Sequence, residues 1–274
     1  TSWLEAVGPD GRVHGKVVTN GAVTGRMTHS SPNMAQVPNA GSIYGPECRE
    51  CWTVEEGNVL VGADASGLEL RMLAHYMKDV NYVRTVCEGS SKDGTDVHTI
   101  NQRAAGLPTR DAAKTFIYAF LYGAGDAKIG SIVGGSSRAG GKLKSDFLAK
   151  TPALAKLIVR VKSVAATGAV PGLDGRQVWV RSEHAALNSL LQSAGAIVMK
   201  QALVIFHNKV FVNKWPIKLV ANVHDEFQLE TSEKYGTIVG EAMVQSIVEA
   251  GEHFNLRCPL AGEYKIGRNW RETH

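Results

Sequence analysis

The stretch VLVGADASGLELR at residues 59–71 decides the fold, because an apolar run ends on a carboxylate and passes at once into a helix. Residues 59–61 predict a short buried strand, and Ser66 with Glu69 has the spacing of a capping box. Apolar residues at helical spacing predict a helix from Ser66 to about Cys87: Leu70, Leu73, Ala74 and Met77. Asp64 therefore lies at a rigid strand-to-helix corner, where its carboxylate can hold a cation. A plain surface turn is the alternative for Asp64, and this stretch alone leaves it open.

The composition is typical of a soluble globular protein: 274 residues, 44% hydrophobic and 20% charged, enough for one large domain or two modest ones. The formal net charge of +4 fits a polyanionic partner without demanding one. No apolar run approaches the roughly eighteen residues of a membrane span and no secretory signal opens the sequence, so we expect an intracellular protein without a membrane partner. Cys48 and Cys51 have CxxC spacing without further ligands nearby, which predicts free thiols in a reducing compartment.

Residues 1–45 are rich in Gly, Asn, Thr, Ser and Pro and predict a hairpin followed by an extended loop. Several polar residues in this segment lack helical periodicity, which suits a segment that lies against a ligand. An ordinary surface loop is the alternative. These residues are Thr24, Gly25, Arg26, Thr28, Asn33 and Gln36.

The stretch from Thr109 to Gly123 predicts a helix with Thr109 as its N-cap and Gly123 just beyond its C-terminus. Four side chains spaced four residues apart share one slowly winding face: Arg110, Lys114, Tyr118 and Tyr122. Two cations followed by two hydroxyl-bearing rings suit a nucleoside triphosphate, because cations neutralise phosphates while a ring stacks on a base or sugar. A solvated helix with half-buried tyrosines is the alternative.

The stretch KLVANVHDEFQLE at residues 218–230 predicts a tight hairpin with acids at its tip. Asp225 then lies at a strand end, as Asp64 does. If their strands are neighbours, two or three carboxylates converge, which is costly without cations and is the arrangement that a pair of magnesium ions requires. Such ions can activate an attacking oxygen and stabilise a leaving pyrophosphate in phosphoryl transfer.

A long helix is predicted from about Glu183 to Asn208, with an apolar face and a polar face that carries His184, Asn188 and Gln192. Amides and imidazoles at this spacing can hydrogen-bond base edges in a minor groove, where the acceptors vary little with sequence. Ordinary polar helix surface is the alternative.

Together these stretches resemble the three polymerase motifs of family A DNA polymerases. Their sequences are similar to those of the replicative enzymes of T7-type phages. The first motif is DASGLELR at residues 64–71, the second is the helix 109–123, and the third is VHDE at residues 223–226. Three motifs in this order and at these separations are far more specific than any one of them. The resemblance covers essentially the whole chain and favours the functional interpretation of each stretch.

The resemblance implies an α+β fold of the polymerase right-hand type, with an antiparallel palm sheet flanked by helices and a helical fingers subdomain. The first part of the palm would cover residues 1–68. The fingers would cover 69–187 with the nucleotide-binding helix 109–123, and the second part of the palm 188–274 with the catalytic hairpin 218–230. An exonuclease and a thumb have no counterpart, so we expect a second polypeptide to supply them; a spliced product or an excised fragment is the alternative.

The resemblance also implies the roles of the site residues. Asp64 and Asp225 would bind two Mg²⁺ ions, for which Mn²⁺ can substitute. The carbonyl of Ala65 would complete a metal site, with Glu226 close by as a further catalytic acid. Lys114 would donate a proton to pyrophosphate.

The same resemblance implies how a deoxynucleoside triphosphate (dNTP) would bind. Arg110 would grip the triphosphate together with Lys114, and His98 would approach the phosphates. Tyr118 would lie at the sugar, where a tyrosine implies tolerance of dideoxynucleotides, and Glu69 would block a ribose 2′-hydroxyl. Tyr122 would stack beside the templating position. Primer-template DNA would contact Arg26, Asn33, Gln36, Asn188, Gln192 and His224.

The implied function is template-directed DNA synthesis by nucleotidyl transfer, in the cytoplasm of a phage-infected bacterial cell. A catalytically silent DNA-binding module with the same fold is one rival hypothesis, and the intact Asp64 and Asp225 argue against it. A single-subunit RNA polymerase with a similar palm is another rival, and Glu69 with Tyr118 argues against it.

Overall fold

The computed structural model describes residues 3–274, which form helices and antiparallel sheets. The α-helices are α1 (Gly45–Glu50), α2 (Leu68–Met77), α3 (Val80–Glu88), α4 (Val97–Ala105), α5 (Arg110–Leu121), α6 (Asp126–Ile132), α7 (Ser137–Lys150), α8 (Pro152–Ala165), α9 (Ala186–Asn213) and α10 (Gly236–His253). The strands are β1 (Lys16–Val18), β2 (Thr28–Ser30), β3 (Asn58–Ala65), β4 (Ala169–Pro171), β5 (Gln177–Trp179), β6 (Ile217–Val223), β7 (Glu226–Ser232) and β8 (Gly262–Gly267). The predicted α+β class is confirmed.

The chain divides into two compact units. The sheet unit comprises residues 3–68, Gly195–Asn255 and Leu260–His274, and the helical unit comprises Glu69–Ala194 and Leu256–Pro259. The assignment of palm and fingers to 1–68, 69–187 and 188–274 stays a prediction.

The sheet unit is built on an antiparallel sheet with the strand order β6-β7-β3-β8. Strand β3 is buried along most of its length, with Val59, Leu60 and Val61 at most 5% exposed, as expected of a strand covered on both faces. Helix α10 covers one face and contributes fully buried apolar side chains. These are Val239, Met243 and Ile247.

At Gly62, the other face of β3 packs against the C-terminal turn, residues 270–274. A Cβ at Gly62 would lie 2.4 Å from Gln228 Nε2 and 2.7 Å from the carbonyl oxygen of Thr273, so only glycine allows this close approach. Because side chains alternate between the faces of a strand, Asp64 lies on the same face as Gly62. The C-terminal turn therefore lies beside the carboxylate of interest.

The helix predicted from Ser66 to about Cys87 is two helices, α2 and α3. Lys78 adopts a left-handed conformation with φ of 57°, which ends α2. The side chain of Asp79 then caps α3 by accepting N–H bonds from Asn81 at 2.9 Å and Tyr82 at 3.1 Å. The single-helix prediction was wrong because apolar periodicity continues through this break while the capping aspartate restarts the helix in a new direction.

Helix α5 in the helical unit begins and ends as predicted. The hydroxyl of Thr109 accepts the N–H of Ala112 at 3.1 Å, and Gly123 has a φ of 75° beyond the C-terminus. The ring of Phe116 meets that of Phe147 on α7 edge to face at 5.1 Å, which fixes the buried side of the helix. The buried residues of α5 are Ala113, Phe116, Ile117 and Leu121.

Helix α9 corrects the expectation that no run could span a membrane. The segment Glu183–Asn213 has the length and the mean hydropathy, 1.4, of a candidate span, and 67% of its most apolar window is buried. A mostly buried core helix of a soluble protein passes the same test. Polar residues such as Asn188 and Gln192 interrupt the apolar residues and conceal the run in the sequence. The helix also continues to Asn213, beyond the predicted end at Asn208.

Candidate active site

The two predicted acids meet at one end of the sheet. Strand β3 pairs with β7 in an antiparallel register that puts Asp64 opposite Glu226. The N–H of Ala65 donates to the carbonyl oxygen of Asp225 at 3.0 Å. Strands β6 and β7 form the predicted tight hairpin, in which His224 has a φ of 59°. The condition that the sequence left open, that the strands ending at Asp64 and Asp225 are neighbours, is therefore met in the structure.

Asp64 has other acidic side chains nearby, and they affect its pKa. Burial raises the pKa of Asp64, and the Asp225 and Glu226 carboxylates raise it further, to about 7. Glu263, its register partner on β8, acts in the same direction, whereas His274 acts against it. Removing a charge from water beside like charges disfavours ionisation, and a cation reverses this effect.

Glu226 lies in a buried hydrogen-bond network at the C-terminal turn. Its Oε1 accepts from Trp270 Nε1 at 2.6 Å and from Gln228 Nε2 at 2.5 Å, and its Oε2 lies 3.3 Å from His274 Nδ1. Burial opposes ionisation, but the hydrogen bonds from His274, Gln228 and Trp270 lower the pKa of Glu226 below its ordinary value. A catalytic role for Glu226 stays a prediction; its position beside Asp64 is observed.

The donor atoms near Asp64 suit a hard divalent cation. Carboxylate oxygens from Asp64 and Asp225 and the backbone oxygen of Ala65 are the ligand types that Mg²⁺ prefers. Across residues 3–274 no group of three or more His, Cys, Asp and Glu side chains is arranged as a metal site. Mg²⁺ commonly takes one or two protein carboxylates, water and substrate phosphates, so two carboxylates fit the ion when a triphosphate supplies the rest.

In the helical unit, Arg110 at the start of α5 is held by a buried acid. Its Nε and Nη2 donate to one oxygen of Asp96 at 3.0 and 2.9 Å. The other oxygen of Asp96 accepts from the Thr99 hydroxyl at 2.6 Å, and Asp96 also caps α4 through the N–H of His98. Burial opposes ionisation, but these hydrogen bonds lower the pKa of Asp96 to about 2. Lys114, one turn along α5, is exposed.

The aromatic part of the α5 face is ordered by contacts within the helical unit. The hydroxyl of Tyr122 donates to Glu69 Oε2 at 2.8 Å, and its ring centre lies 6.4 Å from that of Tyr118. The His98 ring lies 6.1 Å from Tyr118. Burial, and the charges of Arg110 and Lys114, lower the pKa of His98, although Asp96 opposes them. The structure thus brings together the candidate nucleotide-binding residues of this unit.

The candidate DNA-binding residues fall into separate groups. In the sheet unit, Arg26 and His224 line one small pocket. Asn33 is exposed, and its side chain accepts the N–H of Ala35 at 3.2 Å, so it caps a short turn; Gln36 is also exposed. In the helical unit, two amides four residues apart are half-buried on α9. They are Asn188 and Gln192.

Sequence reasoning missed the residues that hold the candidate site in place. Asp96 was not among the predicted site residues, although it accepts two hydrogen bonds from Arg110. Gln228 and Trp270 on the sheet unit both donate to Glu226. A usable signal existed for Gln228, because a polar residue that follows the acidic hairpin at alternate spacing faces the same side as Glu226.

A search of solved structures identifies the fold as that of a polymerase domain. The POL domain of Pol1 from M. smegmatis, solved in complex with DNA primer-template and dNTP, matches with a TM-score of 0.88 and 23% sequence identity. The match covers 98% of this chain and 50% of that one.

The sequence comparisons give the family. The family model described as DNA polymerase family A matches residues 2–272, and the chain belongs to that family. The DNA-directed DNA polymerase of Enterobacteria phage T3 is 44% identical and that of Escherichia phage T7 is 43% identical, each over the whole chain. A DNA polymerase I from Caldicellulosiruptor bescii is 28% identical over 98% of the chain. The chain spans 43% of the length of the T3 and T7 relatives.

Proposed function

We propose that this chain carries the nucleotidyl-transfer centre of a template-directed DNA polymerase and joins a dNTP to a primer 3′-hydroxyl. The observation that carries the proposal is the convergence of Asp64 and Asp225 at adjacent strand ends, with the pKa of Asp64 raised to about 7. Membership in DNA polymerase family A supports it. The phage relatives also support a location in the cytoplasm of an infected bacterium.

We assign cation binding to Asp64, Asp225 and the carbonyl of Ala65. Two bound Mg²⁺ ions, or Mn²⁺ in their place, would supply activation of the primer oxygen and stabilisation of the leaving pyrophosphate. Glu226 positions the hairpin tip, since its buried carboxylate joins β7 to the C-terminal turn through Trp270. The sheet holds Asp64 on β3 and Asp225 in the turn between β6 and β7, so little reorganisation is needed when a substrate binds.

We assign recognition of the dNTP to the helical unit. Arg110 and Lys114 bind the triphosphate, and Lys114 protonates the departing pyrophosphate. His98 lies beside this face and contacts the phosphates. Glu69, oriented by its hydrogen bond from Tyr122, excludes a ribose 2′-hydroxyl.

We assign contacts with the dNTP sugar and with primer-template DNA to the remaining candidate residues. Tyr118 lies at the sugar and tolerates a missing 3′-hydroxyl, and Tyr122 stacks beside the templating base. Six side chains contact primer-template DNA: Arg26, Asn33, Gln36, Asn188, Gln192 and His224.

The second polypeptide expected from the sequence stays a prediction, and primer extension by this chain with and without an N-terminal polymerase fragment tests it. Full processive synthesis by the chain alone would contradict it.

The decisive experiment is single-nucleotide incorporation by Asp64→Asn and Asp225→Asn on a radiolabelled primer-template with Mg²⁺. We expect each variant to lose at least about a thousandfold in rate, because each loses a ligand charge that is used in the transition state. Glu263→Gln is the matched control: it removes an acid opposite Asp64 in the register, without a proposed ligand role. It should stay within about threefold of the wild type.

Each rival has its own result in the same assay. DNA binding without incorporation by the wild-type chain would support a silent DNA-binding module. Preference for ribonucleotides would support an RNA polymerase. Wild-type rates in both aspartate variants would refute the proposed catalytic centre.

A further inference from the structure

Two cysteines distant in the sequence lie in contact within the helical unit. The Sγ atoms of Cys87 and Cys258 are 3.6 Å apart. Cys87 lies near the C-terminal end of α3, and Cys258 lies in the segment Leu256–Pro259. A disulfide needs an S–S distance of about 2 Å, so the two sulfur atoms must approach each other by a further ~1.6 Å to bond.

The two thiols have different surroundings. Cys87 is exposed, whereas Cys258 is fully buried. Burial and the adjacent Cys87 raise the pKa of Cys258 to about 12, so this thiol stays protonated at neutral pH. An exposed thiol beside a buried one is the arrangement of an attacking cysteine and a resolving cysteine.

Arg71 on α2 lies beside both members of the pair. Its Nη1 is 3.7 Å from Cys87 Sγ and donates to the carbonyl oxygen of Pro259 at 2.5 Å. The bond to Pro259 fixes the segment that carries Cys258. The pair is thus presented by ordered backbone next to a positive charge.

We propose that Cys87 and Cys258 form a reversible disulfide, a modification site that reacts with small-molecule disulfides such as oxidised glutathione. The Cys87 thiolate attacks one sulfur of the oxidant, forms a mixed disulfide and releases one glutathione thiolate, which takes up a proton. Cys258 then attacks the sulfur of Cys87, and its thiol proton passes to the second glutathione, which departs as a thiol. Two electrons pass from the two cysteines to the oxidant.

The test uses the full chain with Cys48→Ser and Cys51→Ser, so that Cys87 and Cys258 are the remaining cysteines of the sequence. Oxidised glutathione is added and intact mass is followed with time. We expect a species with one glutathione attached, followed by a species that has lost two hydrogen atoms relative to the reduced chain. Peptide mapping should find Cys87 joined to Cys258, and dithiothreitol should reverse the reaction.

Single variants separate the two steps. With Cys258→Ser, or Cys258→Ala if the serine variant does not fold, the mixed disulfide should form and persist. With Cys87→Ser, Cys258 should resist modification until the protein is unfolded. The oxidised parent should melt about 5 °C or more above the reduced parent. The bond would join two residues that are 171 positions apart in the sequence, which restricts the unfolded chain.

Two results would overturn the proposal. One is a parent protein whose mixed disulfide at Cys87 is stable and never yields the internal bond. The other is a parent protein in which neither thiol reacts before unfolding. Peptide mapping of the parent decides between these results and the expected one, even if every single variant fails to fold.

Discussion

Replacing Asp64 by asparagine should stabilise the cation-free protein while it removes activity. The Asp64 carboxyl has a folded-state pKa of about 7, against an ordinary value of 3.8. The unfolded chain therefore releases this proton at lower pH than the folded chain does. As pH rises from about 4 to 7, ionisation becomes costly only in the folded state, so the free energy of unfolding falls and then levels off above pH 7.

The size of this effect follows from the pKa difference. A shift from 3.8 to about 7 corresponds to about 4 kcal/mol at pH 8, as an upper bound that partial solvation of Asp64 reduces to roughly 2–4 kcal/mol. The asparagine side chain carries no charge at any pH. Asp64→Asn should therefore raise the free energy of unfolding by that amount at pH 8 and by less than about 1 kcal/mol at pH 4.

Urea unfolding in the presence of EDTA measures this difference, with tryptophan fluorescence as the signal. Trp179→Phe in all variants leaves Trp3, Trp52, Trp215 and Trp270, all in the sheet unit. Asp146→Asn, an exposed acid on α7, is the control and should change stability little at either pH. Adding Mg²⁺ should stabilise the wild type more than Asp64→Asn, because binding to the folded state alone raises stability. An asparagine variant no more stable than the wild type at pH 8 would show that Asp64 is not in a repulsive site.

Three further predictions concern the helical unit. The Nδ1 atom of His75 accepts the N–H of Arg257 at 3.1 Å, and burial lowers the pKa of His75 to about 4. Between about pH 6.5 and pH 4 the unfolded chain therefore binds a proton that the folded chain does not. The free energy of unfolding should fall as pH falls through this range. His75→Gln should remove about 3 kcal/mol of that loss, as measured by urea unfolding at pH 7.5 and 4; an unchanged pH dependence would contradict it. Asp96→Asn should lower kcat/KM for dNTP about tenfold or more, with primer-template affinity unchanged, because Arg110 loses a charged partner; a parallel loss of DNA binding would indicate general misfolding. Tyr118→Phe should increase discrimination against dideoxynucleotides at least about tenfold in competitive incorporation, whereas equal discrimination would place its hydroxyl away from the sugar.

The sequence predicts the sheet end of the candidate site because the pattern there is local. An apolar run that stops at Asp64 and an alternating hairpin that turns at Asp225 each identify a strand end. Their pairing is non-local, and only the β3–β7 register of the structure demonstrates it. Thr109 and Gly123 likewise set the limits of α5 through short-range capping, which sequence shows directly.

The supporting contacts could not be predicted because they join residues far apart in the chain. The bond from Trp270 to Glu226 and the close approach of the C-terminal turn to Gly62 depend on tertiary packing. The break at Lys78 was missed because a single left-handed residue outside glycine leaves almost no sequence signal. Residue propensity and hydrophobic periodicity thus identify helices and strands, but they do not show where one helix ends and the next begins.

The most direct test of the catalytic assignment is anomalous diffraction from crystals soaked in Mn²⁺ with primer-template DNA and a nonhydrolysable dNTP. We predict two manganese peaks, each contacting a carboxylate oxygen of Asp64 or Asp225, and both lost in the crystal of the Asp64→Asn, Asp225→Asn double variant. Peaks elsewhere with none at these two side chains, or peaks that persist in the double variant, would contradict it.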